Sequence, residues 1–301
     1  RSRKYFFVPV TYLRAATRKQ ALAAALAEAQ LPLAQRRPPG LADLADAAPG
    51  ALNEAATRAV AELGSDDPAL AEAALRTLDP TVELTWQVAE GGRCTPDQVV
   101  LEMQGDARAL LSAERTALNF LQMLSAVATK TRSYVDAVAG TKAHIVDTRK
   151  TLPGLRIAQK YAVRIGGGTN HRIGLHDAVL IKENHIAAAG GVAAVLRAAA
   201  EVAARAEFIE IEVETLEQLR EALDAGARMV LLDNMDIATL REAVRFNAAH
   251  PGGGAILEIS GGVTLDGLRA LAETGVDRIS TGALTKDVKA TDLSMRMENL
   301  A

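Results

Sequence analysis

The residues of this chain best suited to chemistry are cations set among glycines. Between Thr148 and His185 stand seven Lys/Arg (Arg149, Lys150, Arg156, Lys160, Arg164, Arg172, Lys182) against two acids, Asp177 and Glu183. That segment carries +5 in a chain of net charge −3. His171, His176 and His185 add ring nitrogens. Arginine grips planar carboxylates through paired hydrogen bonds, and lysine meets phosphate as a point charge. A concentration of both focuses anions; a solvated basic face would give the same run. Gly166-Gly167-Gly168, just before Thr169-Asn170-His171-Arg172, offers a flexible loop that can approach a ligand closely. Opposite in sign, Phe208-Ile-Glu-Ile-Glu-Val-Glu214 alternates, placing Glu210, Glu212 and Glu214 on one strand face and Ile209, Ile211 and Val213 on the other. Acids facing a barrel interior need cations, either the basic segment or a hard metal. Mg²⁺ takes one or two carboxylates plus substrate phosphates, and Glu212 with Asp233 would suit it. An edge strand with a solvated acidic face is the alternative. No His/Cys spacing has zinc character, so no transition metal is expected. Cys94 sits in a turn without a nearby His or Asn and reads as structural or incidental.

These residues must be positioned by the pattern that sets in after Gly140. Short apolar strands are read at His144–Asp147, Ala178–Ile181, Phe208–Val213, Met229–Leu232, Ala255–Ile259 and Arg278–Ser280, with helices at Val192–Arg205, Leu216–Ala225, Ile237–Asn247 and Leu265–Thr274. Strand–helix repetition means parallel strands with right-handed crossovers. Six units suit an incomplete barrel, since eight usually need ~250 residues; an open doubly wound sheet is the alternative. Barrel sites lie at the C-terminal ends of the strands. Those ends carry Thr148-Arg149-Lys150, Lys182, Glu212, Asp233-Asn234, Ser260-Gly261-Gly262 and Ser280-Thr281-Gly282. The last two lie where barrels often hold phosphate on backbone N–H groups.

The first third lacks this alternation. Thr17 with Gln20 opens a helix over 17–30 that Pro32 closes, and Pro38, Pro39, Gly40, Pro49 and Gly50 read as loop. Helices are expected at 51–63 and 68–78, strands at Val82–Val88 and Gln98–Met103, and a long helix from an N-cap at Ser112 to Val138. The expected organisation is an α/β chain with an N-terminal domain over 1–117, residues 287–301 returning to it, and a barrel domain over 118–286.

Composition removes several classes. With 49% hydrophobic and 24% charged residues, the 301-residue chain is of globular type. A net charge of −3 and 3% aromatics leave no basic face or stacking platform for nucleic acid. One cysteine excludes a disulfide framework, and no apolar run reaches the ~18 residues of a membrane helix. Arg1-Ser2-Arg3-Lys4 followed by Tyr5 to Val10 mimics a signal sequence, but Pro9 breaks it, so a cytoplasmic protein is expected. The first residue is Arg rather than Met, so the numbering is not expected to begin at a native start codon.

Taken together, Glu114-Arg115-Thr116-Ala117-Leu118-Asn119, Asp147-Thr148-Arg149-Lys150-Thr151, the Gly166–Arg172 run, Ile181-Lys182-Glu183-Asn184-His185, Leu232-Asp233-Asn234 and Ser280-Thr281-Gly282-Ala283-Leu284-Thr285 resemble the quinolinate phosphoribosyltransferase family. The match runs in order over roughly 112–286. The resemblance implies an N-terminal α/β sandwich, a C-terminal incomplete TIM-like α/β barrel and a head-to-tail homodimer. It implies condensation of quinolinate with phosphoribosyl pyrophosphate to nicotinate mononucleotide, pyrophosphate and CO₂, with Mg²⁺ required. It assigns Arg149, His171, Arg172 and Lys182 to the quinolinate pocket, joined by Arg115 from the neighbouring subunit. Thr148 and Thr281 fall within the matched motifs. Lys150 would face the pyrophosphate, Glu212 and Asp233 the ribose hydroxyls and the metal, and Ser260, Gly261, Gly262 and Gly282 the 5′-phosphate. Lys150, Lys182, Glu212 and Asp233 form the implied catalytic set. Lys286 stands where the family often has His. Two other readings compete: a Schiff-base aldolase using Lys182, and a non-catalytic phosphate-binding module, which would have no need of Arg115, Arg149, His171 and Arg172 together.

Overall fold

The computed structural model describes residues 2–9 and 70–298. The expected helices over 17–30 and 51–63 and the loop around Pro38–Gly50 lie outside the described residues. Those described fall into two compact units, one running to Met123 and resuming at Ala290, the other spanning Leu124–Lys289.

The first unit holds a four-stranded antiparallel sheet in the order β10-β1-β3-β2. Its strands are β1 (Ser2–Pro9), β2 (Glu83–Trp86), β3 (Leu101–Asp106) and β10 (Leu293–Glu298). The signal-like stretch is therefore a sheet strand, paired on both sides: Tyr5 opposes Met103 and Met297. Helix α1 (Leu70–Leu78) contributes Leu75 to a core with Leu101, Met103, Leu110 and Leu118.

Helix α2 spans Ala107–Ala137 and begins five residues before the expected cap at Ser112. The reason is Asp106, whose Oδ1 accepts from the backbone N–H groups of Arg108 and Ala109 at 3.0 Å each and so satisfies two orphan donors of the first turn. The division between the units falls inside α2 at 123/124, where the helix offers no break in composition, rather than at 117/118.

The second unit carries six parallel strands in the order β4-β9-β8-β7-β6-β5. They are β4 (His144–Val146), β5 (Val179–Ile181), β6 (Ile209–Val213), β7 (Met229–Asp233), β8 (Ile256–Ser260) and β9 (Arg278–Ser280). Strands β5 to β9 are neighbours in sequence order, and the first strand returns beside the last. A doubly wound sheet would reverse direction part-way; this order is that of a barrel left open between β4 and β5. Helices α3 (Arg156–Ile165), α4 (Glu183–Ala189), α5 (Val192–Ala200), α6 (Leu216–Asp224), α7 (Ile237–Ala249), α8 (Leu265–Ala272) and α9 (Ala283–Lys286) fill the connections. The expected helix over Val192–Arg205 stops at Ala200 and resumes only as a single turn at Ala203–Arg205. Local caps set other starts: the Thr215 side chain accepts from Gln218 N and that of Asp236 from Thr239 N. The core of this unit includes Val146's neighbour Ile145, Ile211, Leu232, Leu257 and Ile279, all 2% exposed or less.

Register fixes which side chains share the inner face. Glu212 opposes Leu231, Leu231 opposes Glu258, Glu258 opposes Arg278, and Asp233 opposes Ser260. Because strand side chains alternate, Glu210, Glu212, Asp233, Glu258, Ser260, Arg278 and Ser280 all face one way.

Candidate active site

The gap between the edge strands is crossed by the segment after α3. Thr169 bridges Val146 of β4, the His171 ring reaches Glu210 of β6, and the Arg172 guanidinium reaches the Ala178 carbonyl just before β5 at 3.4 Å. The triple glycine has a packing cause. A Cβ on Gly166 would sit 2.5 Å from the Ala128 carbonyl oxygen, and one on Gly168 would sit 2.8 Å from side-chain carbons of Thr131 and Val163. Gly167 has φ +88°. The run lets this turn press against α2 instead of forming the expected flexible ligand loop.

Acidity on β6 is graded by depth. Glu210 is fully buried, Glu212 lies near the rim, and Glu214 is exposed. Lys182 Nζ stands 2.7 and 3.0 Å from the two Glu212 carboxylate oxygens. The basic segment thus neutralises the rim acid directly.

Deeper, Glu210 meets His171 Nε2 at 2.7 Å, and Glu258 lies 3.7 Å from the same nitrogen. Arg278 Nε is 2.7 Å from Glu258 Oε2, without the alignment of a hydrogen bond. Burial pushes both carboxyls up to about 7; the Glu212 charge adds to the rise at Glu210 and the Glu210 charge to that at Glu258, while Arg278 opposes both. His171, Glu210 and Glu258 are the one group of three possible metal ligands among the described residues. The Arg278 guanidinium beside Glu258 already supplies a cation there, so this donor set does not favour a divalent ion. Sequence reading placed Glu210 but missed Glu258 and Arg278 as inner residues. The available signal was Glu258 standing two residues before Ser260 on an otherwise apolar strand.

At the end of β4, Asp147 is fully buried, Thr148 and Arg149 are half-buried, and Lys150 is exposed. The loop is pinned by Arg156, which donates to the Arg149 carbonyl at 3.3 Å, Thr151 Oγ1 at 3.1 Å and the Ile173 carbonyl at 3.0 Å. Arg172 is 7% exposed; burial, then the Arg149 guanidinium, press it below the ordinary arginine range. Two guanidiniums near one another attract an anion.

At the ends of β7 and β8 the backbone comes to the surface at Asn234, Gly261 and Gly262, while Ser280, Thr281 and Gly282 at the end of β9 are buried. Asn234 (φ +53°), Gly261 (φ +91°) and Gly262 (φ +59°) are left-handed, and Asn234 N donates to the Ser260 carbonyl at 3.1 Å. A Cβ on Gly261 would crowd Asn234 N at 3.2 Å and Asp233 Oδ1 at 3.3 Å, whereas one on Gly262 would meet open space. Thr281 N donates to the Val146 carbonyl, and a Cβ on Gly282 would press Lys150 Cδ at 2.9 Å. So Lys150, Thr148, Thr281 and Gly282 adjoin one another, as do Asp233, Ser260 and Gly261. Arg115 is exposed and belongs to the first unit.

Residues 127–296 match the sequence profile of the quinolinate phosphoribosyl transferase C-terminal domain, and residues 54–125 that of its N-terminal domain. The chain belongs to the quinolinate phosphoribosyltransferase family. It is 45% identical to the probable nicotinate-nucleotide pyrophosphorylase [carboxylating] of Bacillus subtilis, over 72% of this chain and 74% of that one. It is 48% identical to the nicotinate-nucleotide pyrophosphorylase [carboxylating] of Mycobacterium leprae, over 70% of this chain and 73% of that one. The nicotinate-nucleotide pyrophosphorylase structure from Francisella tularensis superposes with a TM-score of 0.74 at 38% identity, covering 82% of this chain and 97% of that one. The two matched segments also meet inside α2, between 125 and 127.

Proposed function

We propose that this chain transfers the phosphoribosyl group of phosphoribosyl pyrophosphate to quinolinate with decarboxylation, giving nicotinate mononucleotide, pyrophosphate and CO₂ for pyridine-nucleotide synthesis. What supports this reading is a set of cations at the strand ends: Arg149 acting on the buried Arg172, Lys182 paired with Glu212 at the end of β6, and Lys150 against Gly282. The family and its named relatives support the reaction class. Quinolinate is a dianion and its co-substrate is more negative still, so fixed cations offset a repulsion that would otherwise keep them apart. Holding both together can remove much of the ~7–11 kcal/mol of entropic barrier.

In this reading Arg149 and Arg172 clamp ring carboxylates, with Lys182 beside them, and Lys150 meets the pyrophosphate side. Ser260, Gly261, Gly262, Thr281 and Gly282 bind the 5′-phosphate through backbone N–H groups and hydroxyls. Glu212 and Asp233 hold ribose hydroxyls and stabilise the positive charge that builds on the ribose as pyrophosphate leaves. Nitrogen attack makes the ring cationic, which favours loss of the adjacent carboxylate. No protein nucleophile is required, and the ion pair of Lys182 with Glu212 supports a charged, binding lysine rather than a Schiff-base former.

Asp233 is a hard carboxylate at a strand end, its oxygen left uncrowded by the missing side chain of Gly261, and suits Mg²⁺ shared with substrate phosphates; both Glu212 oxygens are already paired with Lys182, so Glu212 would join the metal only with that ion pair opened. When bound, Mg²⁺ supplies charge neutralisation of the leaving pyrophosphate. We further read the working unit as a homodimer in which Arg115 enters the neighbouring site. We also read the setting as cytoplasmic; no helix among the described residues is long and apolar enough to cross a membrane. Incubation with carboxyl-labelled quinolinate, phosphoribosyl pyrophosphate and Mg²⁺ tests the reaction. Labelled CO₂ that depends on both substrates is expected; its absence, or a borohydride-trapped adduct on Lys182, would overturn the reading.

A further inference from the structure

Beneath the site lies an ion pair that none of the proposed substrate contacts explains. Lys160 of α3 is 3% exposed and Asp147 fully buried, and Lys160 Nζ donates to Asp147 Oδ1. Both ends of this pair grip the same residue. Asp147 Oδ1 accepts from His171 N at 2.8 Å, and Lys160 Nζ donates to the His171 carbonyl at 2.8 Å. The Asn170 side chain ties the arrangement together, donating to Asp147 Oδ2 at 2.6 Å and to the Lys160 carbonyl at 2.9 Å. Above this cradle His171 is committed at both ring nitrogens. Arg172 N donates to Nδ1 at 2.8 Å, which leaves the proton on Nε2 to donate to Glu210 at 2.7 Å.

We propose that Asp147, Lys160 and Asn170 are positioning residues for the reaction, fixing the His171 backbone and, through the hydrogen bond from Arg172 N to the His171 ring, the backbone that carries the Arg172 side chain to the ring-acid end of the site. A buried ion pair is by itself weak support for stability, because desolvation offsets its attraction. Its physical use here is directional: opposite charges hold the N–H and C=O of one peptide residue at once, something an apolar pair of equal volume would not do. Displacing a clamp by about 1 Å costs up to roughly 100-fold in rate.

The inference rests on the reading of Arg172 as a quinolinate contact, and the variants separate the two. Arg172→Ala tests that reading alone: an unchanged KM for quinolinate would refute it. Lys160→Met tests the scaffold, and Asn170→Ala, at a part-buried site, serves where Lys160→Met does not fold. Both are expected to raise KM for quinolinate, roughly 10- to 100-fold and several-fold respectively, with KM for phosphoribosyl pyrophosphate unchanged. Added to Arg172→Ala, neither should raise KM further, because all act through one group. Histidine ¹⁵N spectra, assigned with His171→Asn, should show a neutral Nε2–H ring in the parent that changes in Asn170→Ala. The scaffold role is overturned if both Michaelis constants rise together, if effects add to those of Arg172→Ala, or if the His171 signals stay unchanged.

Discussion

Replacing Glu258 by Gln should stabilise the protein above neutral pH and leave it nearly unchanged in acid. Glu258 is fully buried, and burial, then the Glu210 charge, raise its carboxyl from an ordinary 4.5 to about 7, against the attraction of His171 and Arg278. A raised acid holds its proton in the folded chain at pH values where the unfolded chain has lost it. Stability is therefore highest below about pH 4.5 as far as this group is concerned, falls as pH rises from there to about 7, and stays low above. The full difference, about 2.5 pH units, corresponds to an order of 3 kcal/mol. Gln has the shape of the protonated acid and never pays that penalty.

Unfolding of parent and Glu258→Gln by heat or urea at pH 5 and pH 8 reads the effect directly. At pH 8 the variant should be more stable by about 3 kcal/mol, or roughly 6–12 °C for a unit the size of Leu124–Lys289. At pH 5 the two should agree within about 1 kcal/mol, since the amide differs from a carboxyl mainly by one donor. A difference that is the same at both pH values would refute the reasoning, because only an ionisation can make it pH-dependent. Destabilisation at pH 8 would show that the ion pair with Arg278 outweighs the desolvation of Glu258.

Gly282→Ala has allowed backbone geometry (φ −73°) but puts a methyl 2.9 Å from Lys150 Cδ; KM for phosphoribosyl pyrophosphate should rise several-fold while the melting temperature stays put. Arg115→Ala should mainly weaken quinolinate binding, and mixing it with an inactive Lys150→Ala chain should partly restore activity; no recovery on mixing would exclude a shared site. Asp106→Ala removes the acceptor of two first-turn N–H groups of α2, so urea unfolding should show a loss of about 1 kcal/mol, with no such loss in Ser112→Ala.

Strand positions and the polar group at each strand's end were legible because both follow from period-2 alternation and connection rules that act within a few residues. Phe208–Glu214 announced its inner face in the sequence itself. Glu258 and Arg278 did not, since one charge on an apolar strand looks the same whether it points to solvent or to a partner on a neighbouring strand. Only the register, Leu231 against Glu258 against Arg278, decides. Lys160 is counted in the sequence among the cations of the anion-focusing segment, whereas it lies buried against Asp147, a partner that only the fold brings opposite it. The triple glycine misled in the other direction. Its composition says backbone freedom, but what it does is admit α2 at Ala128 and Thr131, a contact 35 or more residues away in the chain. His171 is a further case: the resemblance implies a quinolinate contact, and the structure adds partners for its two ring nitrogens, Glu210 and the next residue's own N–H, that the sequence did not show. Local pattern therefore locates a reactive rim, while the rank of each side chain within it, contact or support, is set by partners that are distant in sequence and close only once the barrel has curled.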